Sequence, residues 1–136
     1  MELTKPSEAL QVASTLQTFV NERKLTANIQ GKNYPLVEAW QFAGSQLGLI
    51  PVIKWVKNLS TDTEIKYEAI VEVLRLSDNV CLSRGYAVCS NKEHSKKRFD
   101  EYAIASMAQT RAVGKAYRNI LAWLMKAAGF EATPAE

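Results

Sequence analysis

The chain is poor in the residues that build metal centres and covalent catalysts. Its 136 residues include two cysteines, Cys81 and Cys89, and one histidine, His94. A structural zinc site takes four ligands from such residues, and a catalytic histidine needs a nucleophile and an orienting group beside it. The sequence therefore predicts no metal, no cofactor and no covalent catalysis, and we expect both thiols to be free.

Long apolar runs and phosphate-binding loops are also missing. No segment has the length of a membrane span, and the first residues, MELTKPSEAL, lack the basic and then apolar build of a signal peptide. We therefore expect a cytoplasmic protein with no membrane partner. Because the sequence has no glycine-rich Walker loop, we do not expect energy-driven strand exchange by this chain alone.

Acidic residues are scarce in the C-terminal half. The formal net charge is only +3, but the segment from Arg84 to Lys126 holds nine basic and three acidic residues. A positive field confined to one part of a protein suits a polyanionic partner. Length and composition, with 47% hydrophobic and 23% charged residues, predict a single domain over residues 1–136. The abrupt tail, ATPAE, leaves open a longer natural chain of which this domain is the N-terminal part.

Hydrophobic periodicity predicts an α+β domain. Helical spacing of apolar residues predicts two early helices and a long final one, and alternation predicts three consecutive strands that form an antiparallel meander packed against the final helix. Between the first two helices we expect a short extended piece, with residues 30–33 as its turn. The predicted helices cover residues 6–23, 36–47 and 99–129, and the predicted strands cover residues 50–57, 65–76 and 80–90.

The register of the last two strands depends on their turn. A three-residue loop places Glu72 opposite Arg84, whereas a two-residue loop places Tyr86 opposite Val71, and the sequence leaves both open. Cys81 and Cys89 lie eight residues apart in the last strand, so the two-residue period predicts that they point to the same face.

The long final helix combines a packing face with a charged one. Arg111, Lys115 and Arg118 are spaced by four and three residues, which confines them to about 60° of arc. The opposite side is predicted to pack on the core through Tyr102, Val113, Ala116, Ile120 and Leu124. A glycine in mid-helix costs about 1 kcal/mol relative to alanine, so Gly114 indicates a close contact.

Basic residues alternate with aromatic ones elsewhere in the chain. Cations neutralise phosphates, and exposed aromatic rings stack on unpaired bases at about 1–3 kcal/mol each. We expect Trp40, Trp123 and Tyr67 to lie in the core, since they sit on apolar faces. Besides the three helical cations, the predicted nucleic-acid contacts are Lys54, Trp55, Lys57, Arg84 and Tyr86 in the strands, and Lys96, Lys97 and Arg98 in a flexible charged linker.

Two other functions compete with nucleic-acid binding. Asp62, Glu64 and Lys66 match the acidic and lysine spacing of Mg²⁺-dependent nucleases, but the match is short and needs a further acid from a neighbouring element. Alternatively the chain is an oligomerisation or protein-interaction domain whose charges are simply solvated.

Two segments resemble the Erf family of phage single-strand annealing proteins, a Rad-type recombination group. GKNYPLVEAWQFAGSQLGLIPVI is similar to the stretch in which a Gly/Lys and a Tyr precede a short helix and a strand. YAIASMAQTRAVGKAYRNILAWLMKAAGF is similar to the family's closing helix. The chain also looks like phage-like bacterial recombination-associated proteins that carry SMAQTRA and ATPAE strings.

The resemblance, which spans about residues 30–130, implies more than the residues do by themselves. It implies a β-β-β-α core, assembly of the chain with itself into rings or filaments, and single-stranded DNA held along a basic groove with its bases presented for pairing. It also implies a place beside other recombination proteins.

Overall fold

A computed structural model describes residues 6–93, 96–97 and 99–134. The elements follow one another as two helices around a hairpin, three long strands and a final helix, so the α+β prediction is confirmed. Their bounds are α1 (Pro6–Arg23), β1 (Thr26–Ile29), β2 (Lys32–Pro35), α2 (Val37–Gln46), β3 (Leu49–Asn58), β4 (Lys66–Arg75), β5 (Cys81–Ser90) and α3 (Glu101–Ala127).

The three long strands form an antiparallel sheet in the order β3-β4-β5, and α3 covers one face of it. This inner face is formed by small and branched side chains that α3 buries completely. Asp100 begins the helix, because its carboxylate accepts a hydrogen bond from the Ala103 amide at 2.9 Å. The inner-face residues are Ala69, Val71 and Val73 of β4 with Ala87 and Cys89 of β5.

The hairpin between β4 and β5 adopts the first of the two predicted registers, with Glu72 opposite Arg84. A β-bulge then adds one residue to β5, since Val73 pairs with Ser83 but Leu74 pairs with Cys81. An extra residue reverses the alternation of side chains beyond it. The prediction that both cysteines share a face is therefore wrong: Cys89 is buried on the inner face and Cys81 is exposed, and both are free thiols.

Close contact between β5 and α3 depends on Gly85. A methyl group on its Cα would lie 2.4 Å from the Ala116 amide nitrogen and 2.6 Å from the Ala112 carbonyl oxygen. Beside it the Ser83 hydroxyl donates a hydrogen bond of 2.8 Å to the Ala116 carbonyl. Because the obstructing atoms are helix backbone, glycine is what allows α3 to lie directly on the strand.

The segment between α1 and α2 is a two-stranded hairpin rather than an extended piece with a four-residue turn. Lys32 and Asn33, which were predicted in the turn, belong to β2 and pair with Ile29 and Asn28. The turn itself is Gln30-Gly31, with φ of 53° and 81°. Positive φ at both central residues matches the right-handed twist of the flanking strands, so two residues are sufficient.

Two aromatic residues of α3 do not lie where the sequence places them. Tyr102 is 81% exposed and Trp123 is 47% exposed, so the predictions that they face the core are wrong. The helix is buried along Ile104, Ala108 and Ala112, and a residue two positions from such a row points about 200° away. Val113, Ala116 and Leu124 of the predicted packing face are buried as expected. Trp40 is fully buried as predicted, and Tyr67 is partly buried, with its hydroxyl donating to the Glu101 carboxylate.

Candidate nucleic-acid interface

A groove of about 1150 Å³ runs between the free edge of β5 and the β1–β2 hairpin, and we call it the edge groove. One wall is β5 from Arg84 to Val88, and the other is formed by Ile29, Tyr34 and the start of α2. The floor is a stripe of α3 residues that recur every three or four positions and so share one face of the helix. They are Met107, Thr110, Arg111, Gly114, Lys115, Arg118 and Asn119.

The charged residues that line the edge groove are predominantly basic. Lys115 and Arg118 are exposed on the floor, and neither forms an ion pair with any carboxylate in the part of the chain that the structure describes. Arg84 lies on the wall that β5 forms, and Glu38 is the one acidic residue among the described residues that line the groove. A concave surface with several like charges concentrates an oppositely charged polymer more strongly than isolated charges do.

Arg111, the third cation of the predicted stripe, is bound within the protein. Its guanidinium donates to the two carboxylate oxygens of Glu93 at 2.6 and 3.0 Å and to the Val88 carbonyl at 2.9 Å. The side chain is 12% exposed. The Arg111 guanidinium, above all other influences, lowers the pKa of Glu93 to about 2. Arg111 therefore ties α3 to β5 and to the connection between them.

Side chains of α3 bind two backbone carbonyls along the free edge of β5. Arg111 donates to the carbonyl of Val88, and Asn119 donates to the carbonyl of Arg84 at 2.8 Å. An exposed strand edge otherwise offers a row of backbone groups to another strand, so these two contacts oppose strand addition inside the groove. Asn119 carries no charge or aromatic ring, and sequence reasoning missed it for that reason.

The sheet face opposite α3 carries the predicted strand residues. Trp55, Ile70 and Tyr86 are directly paired across β3, β4 and β5, so they form one row over the open face. Tyr86 is 64% exposed, and the Lys57 ammonium lies 4.8 Å from the centre of the Trp55 ring, with Lys54 at 5.8 Å. Since Tyr86 also lines the edge groove, it connects the two surfaces.

Glu72 neutralises part of the charge on this face. Its carboxylate accepts a hydrogen bond from Arg84 at 2.7 Å and lies 3.8 Å from the Lys54 ammonium. The Cys81 thiol also donates to it at 3.4 Å. These contacts, with the Arg84 hydrogen bond first, lower the pKa of Glu72. Surface pairs of this kind are weak, so Arg84 and Lys54 remain able to exchange Glu72 for a phosphate.

The charged linker before α3 is only partly described. The Lys96 ammonium lies 4.9 Å from the centre of the Phe99 ring, and Lys97 is exposed. Arg98, the third predicted contact of the linker, lies outside the described residues. At the start of this segment Glu93 is held by Arg111, so the predicted flexible linker has a fixed beginning.

The described residues include no metal-binding cluster that would support the nuclease alternative. Within residues 6–93, 96–97 and 99–134, no group of three or more histidine, cysteine, aspartate or glutamate side chains is placed to hold a metal ion. Glu64, the central acid of the short motif, instead accepts a hydrogen bond from the Ser90 hydroxyl. A single paired carboxylate does not form the oxygen cage that Mg²⁺ requires.

Comparison of the chain with models of known protein families and with curated proteins finds no match. No helix in the described part of the chain is both long enough and apolar enough to cross a bilayer.

Proposed function

We propose that this chain binds single-stranded DNA in the edge groove, as a non-enzymatic module of phage-type recombination and strand annealing in the cytoplasm. The observation that carries the proposal is the pair of exposed cations, Lys115 and Arg118, on the groove floor beside the exposed ring of Tyr86. Point charges grip phosphates without reading sequence, and an open aromatic ring stacks on any base.

The outer sheet face supports the same proposal. Trp55 with Lys57 offers a ring and a cation next to each other, and Tyr86 continues the row to the groove wall. A strand that leaves the groove past Tyr86 thus meets a second place for stacking. Double-stranded DNA has its bases already stacked, so this combination favours unpaired strands.

Self-association is part of the proposal, and the edge of β3 supports it. This ten-residue strand lies at the border of the sheet, with Val52, Ile53 and Val56 between 37% and 47% exposed. Exposed apolar side chains on an edge strand are suited to contact with another chain. The same feature favours the second candidate, a protein-interaction domain without a nucleic-acid role. In an assembly, repetition of weak phosphate contacts raises the overall affinity through effective concentration.

The test removes the two exposed cations of the floor. In the double variant Lys115→Gln with Arg118→Gln we expect the fold to be unchanged, because neither side chain is buried, while affinity for a fluorescent oligothymidine decreases. Titrations at several salt concentrations measure the number of phosphate contacts. For single strands each lost contact lowers the slope of log affinity against log salt by about 0.7, so the slope should fall by about 1.4.

The matched control is Lys24→Gln with Lys126→Gln, which removes the same charge from exposed positions outside the groove. It should bind like the wild type with nearly the same salt slope. Equal affinity of both double variants would refute the groove as the binding site. No binding by the wild type, together with a light-scattering mass above 15.2 kDa, would favour the interaction domain instead.

A further inference from the structure

The chain turns back on itself after α3. Gly129 has φ of 93°, and the next residue, Phe130, is buried and donates from its amide to the Met125 carbonyl at 3.1 Å. The Glu131 amide then donates to the Asn33 carbonyl of β2 at 3.0 Å. We call residues Phe130–Pro134 the C-terminal strap, since they run from the end of α3 back over its surface.

The C-terminal strap ends on Gly114. A methyl group at Gly114 would lie 3.0 Å from Cβ and 3.1 Å from Cγ of Pro134, so the missing side chain makes room for the proline ring. This contact explains why a residue with low helix propensity stands in the middle of α3. Thr133 and Pro134 are themselves part of the groove lining.

The position of this contact is what connects the strap to binding. Gly114 lies in the centre of the groove floor, directly before Lys115 and one turn before Arg118. A polymer that extends along the groove floor from the two exposed cations past Gly114 meets the Pro134 ring, which covers the floor there. The strap and such a polymer therefore exclude each other at the centre of the edge groove.

The strap is held by few contacts. Between Glu131 and Pro134 the described backbone makes one hydrogen bond to the rest of the protein, and none of these four residues is buried. Phe130 is the anchor, and it lies at the end of α3 away from Gly114. Segments with so few buried apolar contacts open at low cost compared with global unfolding.

We propose that the C-terminal strap is an autoinhibitory contact, which competes with single-stranded DNA for the centre of the edge groove. The inference rests on the proposed function. Binding then requires the open state of the strap, and the apparent affinity is reduced by the fraction of molecules in that state. Any event that releases Pro134 from Gly114 raises the affinity without a new contact to DNA.

The experiment uses two variants of the full chain that displace the strap, one changed in α3 and one changed in the strap itself. Gly114→Ala fills the space under the ring, and Pro134→Gly removes the ring without altering α3. Hydrogen exchange of the Glu131 amide reports release, since this amide is bonded to Asn33 when the strap is closed. We expect faster exchange in both variants and tighter binding of oligothymidine, by about tenfold if the strap is closed nine-tenths of the time.

The outcomes separate the two proposals. Faster exchange at Glu131 with wild-type affinity in both variants would overturn autoinhibition and leave DNA binding intact. Unchanged exchange in both variants would show that Pro134 on Gly114 does not hold the strap, which also overturns the inference. If neither the wild type nor the variants bind at low salt, the proposed function itself fails, and autoinhibition fails with it.

Discussion

Replacing Glu93 by glutamine removes the carboxylate that connects α3 to the end of β5. This carboxylate accepts two hydrogen bonds from Arg111 and one of 3.0 Å from the Ser90 amide. Glutamine has nearly the same shape, but it carries no charge and has one acceptor oxygen instead of two. The variant therefore leaves the Arg111 guanidinium, which is 12% exposed, without its counter-charge.

The size of the effect follows from the pKa of Glu93. A fall from the ordinary value of 4.5 to about 2 corresponds to about 3 kcal/mol of stabilisation if water does not screen the pair. The Glu93 side chain is 35% exposed, however, and exposed pairs are strongly screened. We therefore expect Glu93→Gln to lower the free energy of unfolding by about 1–2 kcal/mol at neutral pH.

The loss should depend on pH in a defined direction. Since the pKa of Glu93 is lower in the folded than in the unfolded chain, its stabilisation is complete above about 4.5 and disappears as the pH falls towards 2. A protonated glutamate is nearly equivalent to glutamine, so wild type and variant should converge in acid. Urea denaturation of both proteins across this range measures the difference directly.

The control is Glu22→Gln on α1, whose carboxylate is exposed and forms none of the ion pairs found among the described residues. Its free energy of unfolding should follow that of the wild type at every pH. A Glu93→Gln difference that persists unchanged at pH 3, or one that is absent at pH 7, would contradict an internal ion pair at Arg111.

Two further predictions concern β5. Gly85→Ala forces a methyl group to within 2.4 Å of the Ala116 backbone, so it should lower the free energy of unfolding by about 3 kcal/mol or more in chemical denaturation. The control Gly31→Ala, in open space with φ of 81°, should lower it by only about 1 kcal/mol. Equal losses would be inconsistent with the close packing of β5 on α3. Native protein should react with a thiol reagent quickly at exposed Cys81 and slowly at Cys89, because burial raises the pKa of the Cys89 thiol. Two equally fast thiols would contradict the β-bulge.

The sequence predicted the long elements well because their burial is periodic. The segment 6–23 was predicted as a helix with the bounds that α1 has, and the three strands differ from prediction by at most one residue at each end. What failed depended on local irregularity. The bulge that turns Cys81 outward is a single extra residue, and alternation alone gives no sign of where a sheet will admit one.

The candidate site was predictable in composition but not in arrangement. Spacing correctly places Arg111, Lys115 and Arg118 on one stripe of α3, and all three line the edge groove. It does not indicate that Glu93, eighteen positions before Arg111, lies opposite one of them. That contact is set by how α3 crosses β5, which in turn depends on Gly85, and neither the crossing nor the glycine contact has a periodic signature.

The three cations of the α3 stripe thus differ in exposure and pairing because of their positions along the helix, not because of their residue types. Arg111 lies deepest, where β5 and the linker cover it, and an ion pair satisfies its charge within the protein. Gly114 holds the strap, and Lys115 and Arg118 beyond it stay exposed. Under the proposed function, removing Arg111 should therefore reduce DNA binding through loss of the β5–α3 contact, even if Arg111 never touches a phosphate. Variants of Lys115 and Arg118 test binding directly, because their removal leaves the described packing unchanged.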